Sequence, residues 1–422
     1  MATLSSLVSN EAAAEILLSH QDPTIVLEAA RARAGSEWDQ VLHTALYGDV
    51  EGAPRPSPLH LASAGHLLAM PAATTLCTLN FDTLLEEAVI GVGEPVVVIG
   101  LDGDSEADVP TVHHLHGALF DEASYDAIAC FRDYAELIAQ PDAWQRRFLS
   151  DALARGPLLL AGTSYRDPDI RHWLHVILRD EKPAHPALVT ISREGLGLDR
   201  QSFAEVNEAL AAEWEAIGLT AVKTHDLADV ALVIRELRHL GEVGYQSPRD
   251  RARTVWNAHG KQFSSLQSRY ADALASDASA VSRALGTKAH RGTLWLADGN
   301  GKLARWASEG THFQSRSTLK HVPTGHDSPW IAGEAIGSEE VKLKDIERDS
   351  RLSPTWRSVL AIPIFASDGR SPNFATAVLT FGLSASAATL VDRQGEWSSV
   401  TEALSERWGN RISSIAFAPT RA

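Results

Sequence analysis

Hydrophobic and polar positions fall into three regimes along the chain. Residues 1–70 are rich in Ala and Leu at helical spacing, and the stretch from Gly52 to Pro58 interrupts them, because each of its prolines removes a backbone donor. From residue 72 the texture changes. Short β-branched or Leu-rich runs at 73–80, 96–101, 111–115, 158–162, 188–192 and 220–224 are mostly separated by helical segments. This alternation predicts a parallel sheet covered by helices. Runs that are apolar throughout, such as LLLAG at 158–162, suit central strands buried on both faces.

A polar, helix-compatible stretch follows Gln246-Ser247-Pro248 and runs to about Leu285. Two apolar runs then flank Asp298-Gly299-Asn300-Gly301, a hairpin signal because Asn and Gly accept positive φ. Farther on, 358–366 and 374–383 lie in two strand-like runs joined by a polar loop, and 390–415 can close the chain as a helix. The expected division is an α/β domain at 1–245, a helical linker at 246–287, and an α+β domain at 288–422.

Charge narrows the partners. The formal net charge of −16 has the wrong sign for a chain whose affinity would come from neutralising phosphates, which disfavours nucleic acid. Only Cys77 and Cys130 occur, too few for a disulfide framework or a four-cysteine zinc site. The N-terminus has no basic n-region and no run of about 18 apolar residues occurs anywhere in the sequence, so the expectation is a cytoplasmic protein with no membrane partner.

Three stretches can carry chemistry. In TLNFDTLLEEA a strand ends at Asn80, with Asp82 ready to cap the helix that follows; ligands of open α/β sheets sit at such carboxyl ends. The same residues also serve simply to end a strand and start a helix. In TVHHLHGALF, His113, His114 and His116 precede Gly117; an imidazole at a strand end can take a proton from water or a hydroxyl. If the strand continues, His114 and His116 share a face, but two ligands without a third do not define a metal site. In LLLAGTSYRDPDI, Gly162, Thr163 and Ser164 form a small-residue turn, with Asp167 near the start of the next helix, a setting that favours ribose hydroxyls or phosphate.

The order and spacing of these stretches resemble the sirtuin (silent information regulator) family, in the branch found in bacterial NAD-consuming defence effectors. The resemblance covers roughly residues 55–240, and FRDYAELI with Asp133 and Tyr134 adds to it. It implies a Rossmann-like sheet with helices on both faces, with NAD as substrate. Asn80 would position water or ribose, and His116 would act as base. Asp82, Gly117, Gly162, Thr163, Ser164 and Asp167 would line the dinucleotide. Classical members carry a four-cysteine zinc ribbon that this chain cannot form, so NAD hydrolysis is expected over deacylation, with no zinc. The family's opening strand and Gly-Ala-Gly-x-Ser loop have no counterpart in residues 1–72, so that first strand is expected to lie upstream of residue 1 or to have been lost.

Residues 291–415 look like a GAF-type sensory or dimerisation domain, with Trp330 and Gly333 in a candidate pocket wall; Trp295, Trp306, Trp330 and Trp356 can equally be core. The functional expectation is an NAD glycohydrolase of antiphage defence, oligomeric, and triggered by a small molecule or protein through the C-terminal domain. The alternative is a catalytically inactive NAD- or nucleotide-binding scaffold.

Overall fold

The computed structural model describes residues 11–48, 55–94, 97–104, 109–120, 123–162, 168–180, 184–346, 356–391 and 394–417. The chain forms two compact units, residues 1–235 and 236–422.

The first unit opens with helices α1 (Glu11–His20), α2 (Pro23–Ala34), α3 (Trp38–Tyr47) and α4 (Pro58–Ala69). Two of them start by the same device. Asp22 and Ser57 cap α2 and α4 with their side chains, and proline stands at the first helical position, where no amide bond is lost. Pro58, the last proline of that stretch, therefore launches a helix.

Strands and helices then alternate: β1 (Leu76–Thr78), α5 (Leu84–Gly91), β2 (Val98–Gly100), β3 (Thr111–His114), the hairpin β4 (Ala118–Phe120) and β5 (Ala123–Tyr125), α6 (Phe131–Ala139), α7 (Trp144–Arg155), β6 (Leu158–Leu160), α8 (Pro168–Asp180), β7 (Ala187–Ser192), α9 (Arg200–Glu215), β8 (Thr220–Thr224) and α10 (Leu227–Glu236). All six predicted runs contain a strand. Among the described residues they build two parallel sheets, β1-β3-β2 and β6-β7-β8, each with its most buried strand in the middle.

Both sheets are covered on two faces. On β3, Val112 packs with α4 and α5, whereas His113 meets Phe148 of α7. On β6, Leu159 packs with Ala62 of α4 and Val230 of α10, whereas Leu158 and Leu160 face Trp173 and Leu174 of α8 and Trp214 of α9. Helix α4 thus lies against both sheets, and α7 shares one core with Cys77 of β1 and the β6 leucines.

The second unit contains α11 (Pro248–Lys261), α12 (Phe263–Leu285), β9 (Ala289–Ala297), β10 (Lys302–Ser308), β11 (His321–Pro323), α13 (Ile331–Ser338), β12 (Lys342–Asp345), β13 (Ser358–Ala366), β14 (Phe374–Leu383), α14 (Ala387–Val391) and α15 (Gln394–Ala416). Among the described residues its six strands form one antiparallel sheet in the order β11-β10-β9-β14-β13-β12. Helix α13 covers one face through Ala332 and Ala335 against Trp295, Ala361 and Val378. On the other face α12 approaches so closely that a Cβ at Gly292 would meet Leu274, and α15 lies along β13, where Ser405 donates to the Pro363 carbonyl. Trp306 and Trp408 are fully buried; Trp330 is partly exposed beneath the Lys320 ammonium, 3.5 Å from its ring centroid.

An enclosed cation fixes the start of this unit. Arg251 of α11 is fully buried, donates to Glu236 at 2.5 Å and to the Pro372 carbonyl at 2.6 Å, and lies over the Phe374 ring. No helix among the described residues is long and apolar enough to cross a membrane.

Candidate functional site

The parallel ladder between β1 and β3 decides what lies at the carboxyl end of the first sheet. Thr78 pairs with His114 as the last register of both strands, and the Leu115 amide still reaches the Thr78 carbonyl at 2.9 Å. Asn80 and His116 each stand two residues beyond that last pair. Two neighbouring strands therefore end together, and the two residues expected to carry catalysis leave the sheet at the same edge, where ligands of open α/β sheets bind.

The Asn80 loop is held by its backbone. Its amide donates to Thr78 Oγ1 at 3.0 Å and its carbonyl lies 3.0 Å from His114 Nδ1. The next carbonyl, of Phe81, accepts from the Leu119 amide at 2.8 Å, which ties the loop to hairpin β4–β5. Asn80 itself is exposed. Asp82 accepts from the Leu84 amide at 3.1 Å, satisfying one of the free donors that open α5. The Asp82 and Glu86 charges act on His60 of α4, but burial dominates and lowers that imidazole's pKa. Its Nδ1 accepts from the Ser57 amide at 3.0 Å, so the neutral ring is a capping group. Burial, with Asp82 and Glu86 adding to it, raises the Glu87 carboxyl.

His116 lies in the turn after β3 and is 2% exposed. Its carbonyl accepts from the Ile128 amide at 2.9 Å, and its ring meets the Tyr134 ring edge-on at 5.4 Å. Gly117 follows with φ 79°, and a Cβ there would run into the carbonyl oxygens of Tyr125 and Asp126, so only glycine lets the hairpin fold back over the histidine. Tyr134 is delivered by α6. Asp133 caps that helix by accepting from the Cys130 amide at 3.1 Å and pairs with Arg31 at 2.8 Å.

The three histidines have separate surroundings. His113 lies against Phe148, where burial lowers its pKa. His114 meets Glu86 at 2.8 Å. The strand ends at His114, so the alternation that would have put His114 and His116 on one face stops before His116. Gly162 follows β6 with φ 69°, beside Leu59 of α4. Thr163, Ser164 and Asp167 lie outside the described residues.

Sequence reasoning missed Glu86. LLEEA reads as a solvated helix start, but Leu85, Ala88 and Val89 form the buried stripe of α5 and Glu86 sits beside it, also buried. The available signal was His114 itself, a polar residue inside a strand that needed a buried partner.

Residues 74–222 match the family model of the SIR2-like domain, which supports a sirtuin-like domain over the segment that contains Asn80, His116 and Gly162. No curated protein matches the chain. Among solved structures, a GAF sensor protein from Burkholderia vietnamiensis is 12% identical, with 40% of this chain and 96% of that one covered and a TM-score of 0.25. The nlh2 GAF domain of A. aeolicus is also 12% identical, with 39% and 99% covered and a TM-score of 0.24. At such scores the likeness adds nothing to the strand order of the second unit.

Proposed function

We propose that the sirtuin-like domain is an NAD glycohydrolase. The observation that carries this reading is that Asn80 and His116 each stand two residues past Thr78–His114, the last register of two adjacent parallel strands, within the segment matched by the SIR2-like family. In the reaction a water oxygen forms a bond to the anomeric carbon of the nicotinamide riboside, and the bond from that carbon to the nicotinamide nitrogen breaks. The electron pair leaves with neutral nicotinamide, and the proton lost by water passes through His116 to solvent. The Asn80 amide orients water or ribose. The sirtuin resemblance assigns Asp82, Gly117, Gly162, Thr163, Ser164 and Asp167 to the dinucleotide. The burial of His116 favours this role, since a base shielded from bulk water acts on a bound reactant.

The second unit then serves as a GAF-type sensory or dimerisation domain that regulates a cytoplasmic, oligomeric effector of antiphage defence. The support is architectural: a six-stranded antiparallel sheet, opened by a hairpin and covered on both faces by helices. The test is to incubate the purified protein with NAD and follow nicotinamide and ADP-ribose by chromatography. Stoichiometric release of both is expected; NAD that persists unchanged at stoichiometric enzyme overturns the hydrolase reading.

A further inference from the structure

Beneath the exposed Asn80 lies a buried polar pair. His114 is 0% exposed at the end of β3, and Glu86 is 4% exposed in the first turn of α5. His114 Nδ1 lies 3.0 Å from the Asn80 carbonyl oxygen, and its Nε2 lies 2.8 Å from Glu86 Oε1. A carbonyl oxygen only accepts, so Nδ1 carries a proton. Nε2 then either donates to a Glu86 carboxylate or accepts from a Glu86 carboxylic acid. Both forms hold the same number of protons, and both join α5 to the Asn80 loop through one rigid ring.

The rest of the loop is held in the same way. The Asn80 amide donates to Thr78 Oγ1 and the Asn80 carbonyl meets His114, so the peptide groups on both sides of the Asn80 Cα are fixed, and the following peptide is held where the Phe81 carbonyl accepts from Leu119. Its side chain is exposed and has no hydrogen bond among the described residues. Burying an ionisable pair carries a desolvation cost that apolar residues of equal volume avoid, and such pairs are best explained where they specify geometry. A loop that only joined a strand to a helix would not need one.

We infer that His114, anchored by Glu86, is a positioning residue that fixes the Asn80 main chain so that its side-chain amide meets a ligand from a set direction. What Asn80 then does rests on the hydrolase reading; the strut beneath it does not. The two ends of the ring can be separated by substitution. His114→Asn keeps an amide N–H where Nδ1 was and loses the Glu86 contact, whereas His114→Gln reaches Glu86 and loses the Asn80 carbonyl.

In the full-length protein, His114→Gln is expected to lower kcat for NAD by ~10²-fold, the scale of a small misplacement of a reacting group, with KM within about threefold of wild type. His114→Asn should restore kcat to within about tenfold. Amide exchange of a peptide covering 78–84, read by mass spectrometry, should accelerate in His114→Gln and stay slow in His114→Asn. Equal kcat in the two variants, or unchanged exchange in His114→Gln, overturns the inference. If the wild type releases no nicotinamide, the hydrolase reading fails and the exchange comparison alone decides the positioning role. If His114→Gln does not fold, the double variant His114→Leu, Glu86→Leu, which removes the bond to the Asn80 carbonyl without leaving a buried acid unpaired, must accelerate the same exchange; if it does not, the strut is refuted.

Discussion

Asn80 and His116 share a sheet edge but not an environment, and their substitutions should separate accordingly. Asn80 is exposed with its side chain free of hydrogen bonds among the described residues, so Asn80→Ala should cut NAD turnover by at least ~10²-fold while the melting temperature stays within a degree or two. His116 is buried against Tyr134. His116→Ala should match the loss of turnover and also lower stability by about 1–3 kcal/mol, because it opens a cavity beside the ring. Turnover per folded molecule and urea midpoints, measured on both variants, check this. Wild-type turnover in either variant removes that residue from the mechanism. The burial of His116 is not legible in the sequence, since it comes from a hairpin folding back through Gly117.

At the scale of elements, what could be read from the chain depended on how strongly each segment was patterned. LLLAG and TVHH carry enough apolar character to mark their strands unaided, and both proved to hold one. Hairpin β4–β5 was missed because Asp121 and Glu122 interrupt it, and β11 and β12 were missed because HVP and KLKD are short, polar edge strands. The polar stretch 249–285 reads as one helix but folds as two, α11 and α12, joined through Gln262. Those helices are locked by a buried pair: His259 Nδ1 donates to the Val255 carbonyl at 2.9 Å, and Nε2 accepts from the Tyr270 hydroxyl at 3.0 Å, with Trp306 alongside. Burial pushes the His259 imidazole down to about 4. In the unfolded chain it titrates near ~6.5, so on acidification the unfolded state takes the proton first. Stability from this group is complete above that value and falls by about 3 kcal/mol as pH drops toward 4. Urea unfolding between pH 7 and 4.5 should show this slope, and His259→Gln should flatten it; an unchanged slope in the variant assigns the effect to other groups.

At the scale of the whole molecule, Arg251 tests where the second unit begins. Its partner Glu236 lies upstream of the polar stretch that the sequence offers as a boundary, and Tyr245 also reaches Glu236, its phenol pushed up to about 12 chiefly by burial. A fragment of residues 236–422 should therefore fold, while one of 246–422 should lose up to about 3 kcal/mol, since the buried cation gives up its nearest acid and keeps only Asp368 at 4.0 Å. Chemical denaturation of the two fragments decides between a boundary near 235 and one near 245; equal stability overturns the role given to Glu236. The two cysteines have a different bearing on the molecule. Burial pushes the Cys77 thiol up to about 11 and raises Cys130 as well. At neutral pH neither offers much thiolate, the form that reacts with maleimides and iodoacetamide. A cysteine introduced on the surface would thus take a fluorophore or spin label selectively with both native thiols left in place, which opens the Asn80 loop to site-specific spectroscopy in an otherwise unaltered protein.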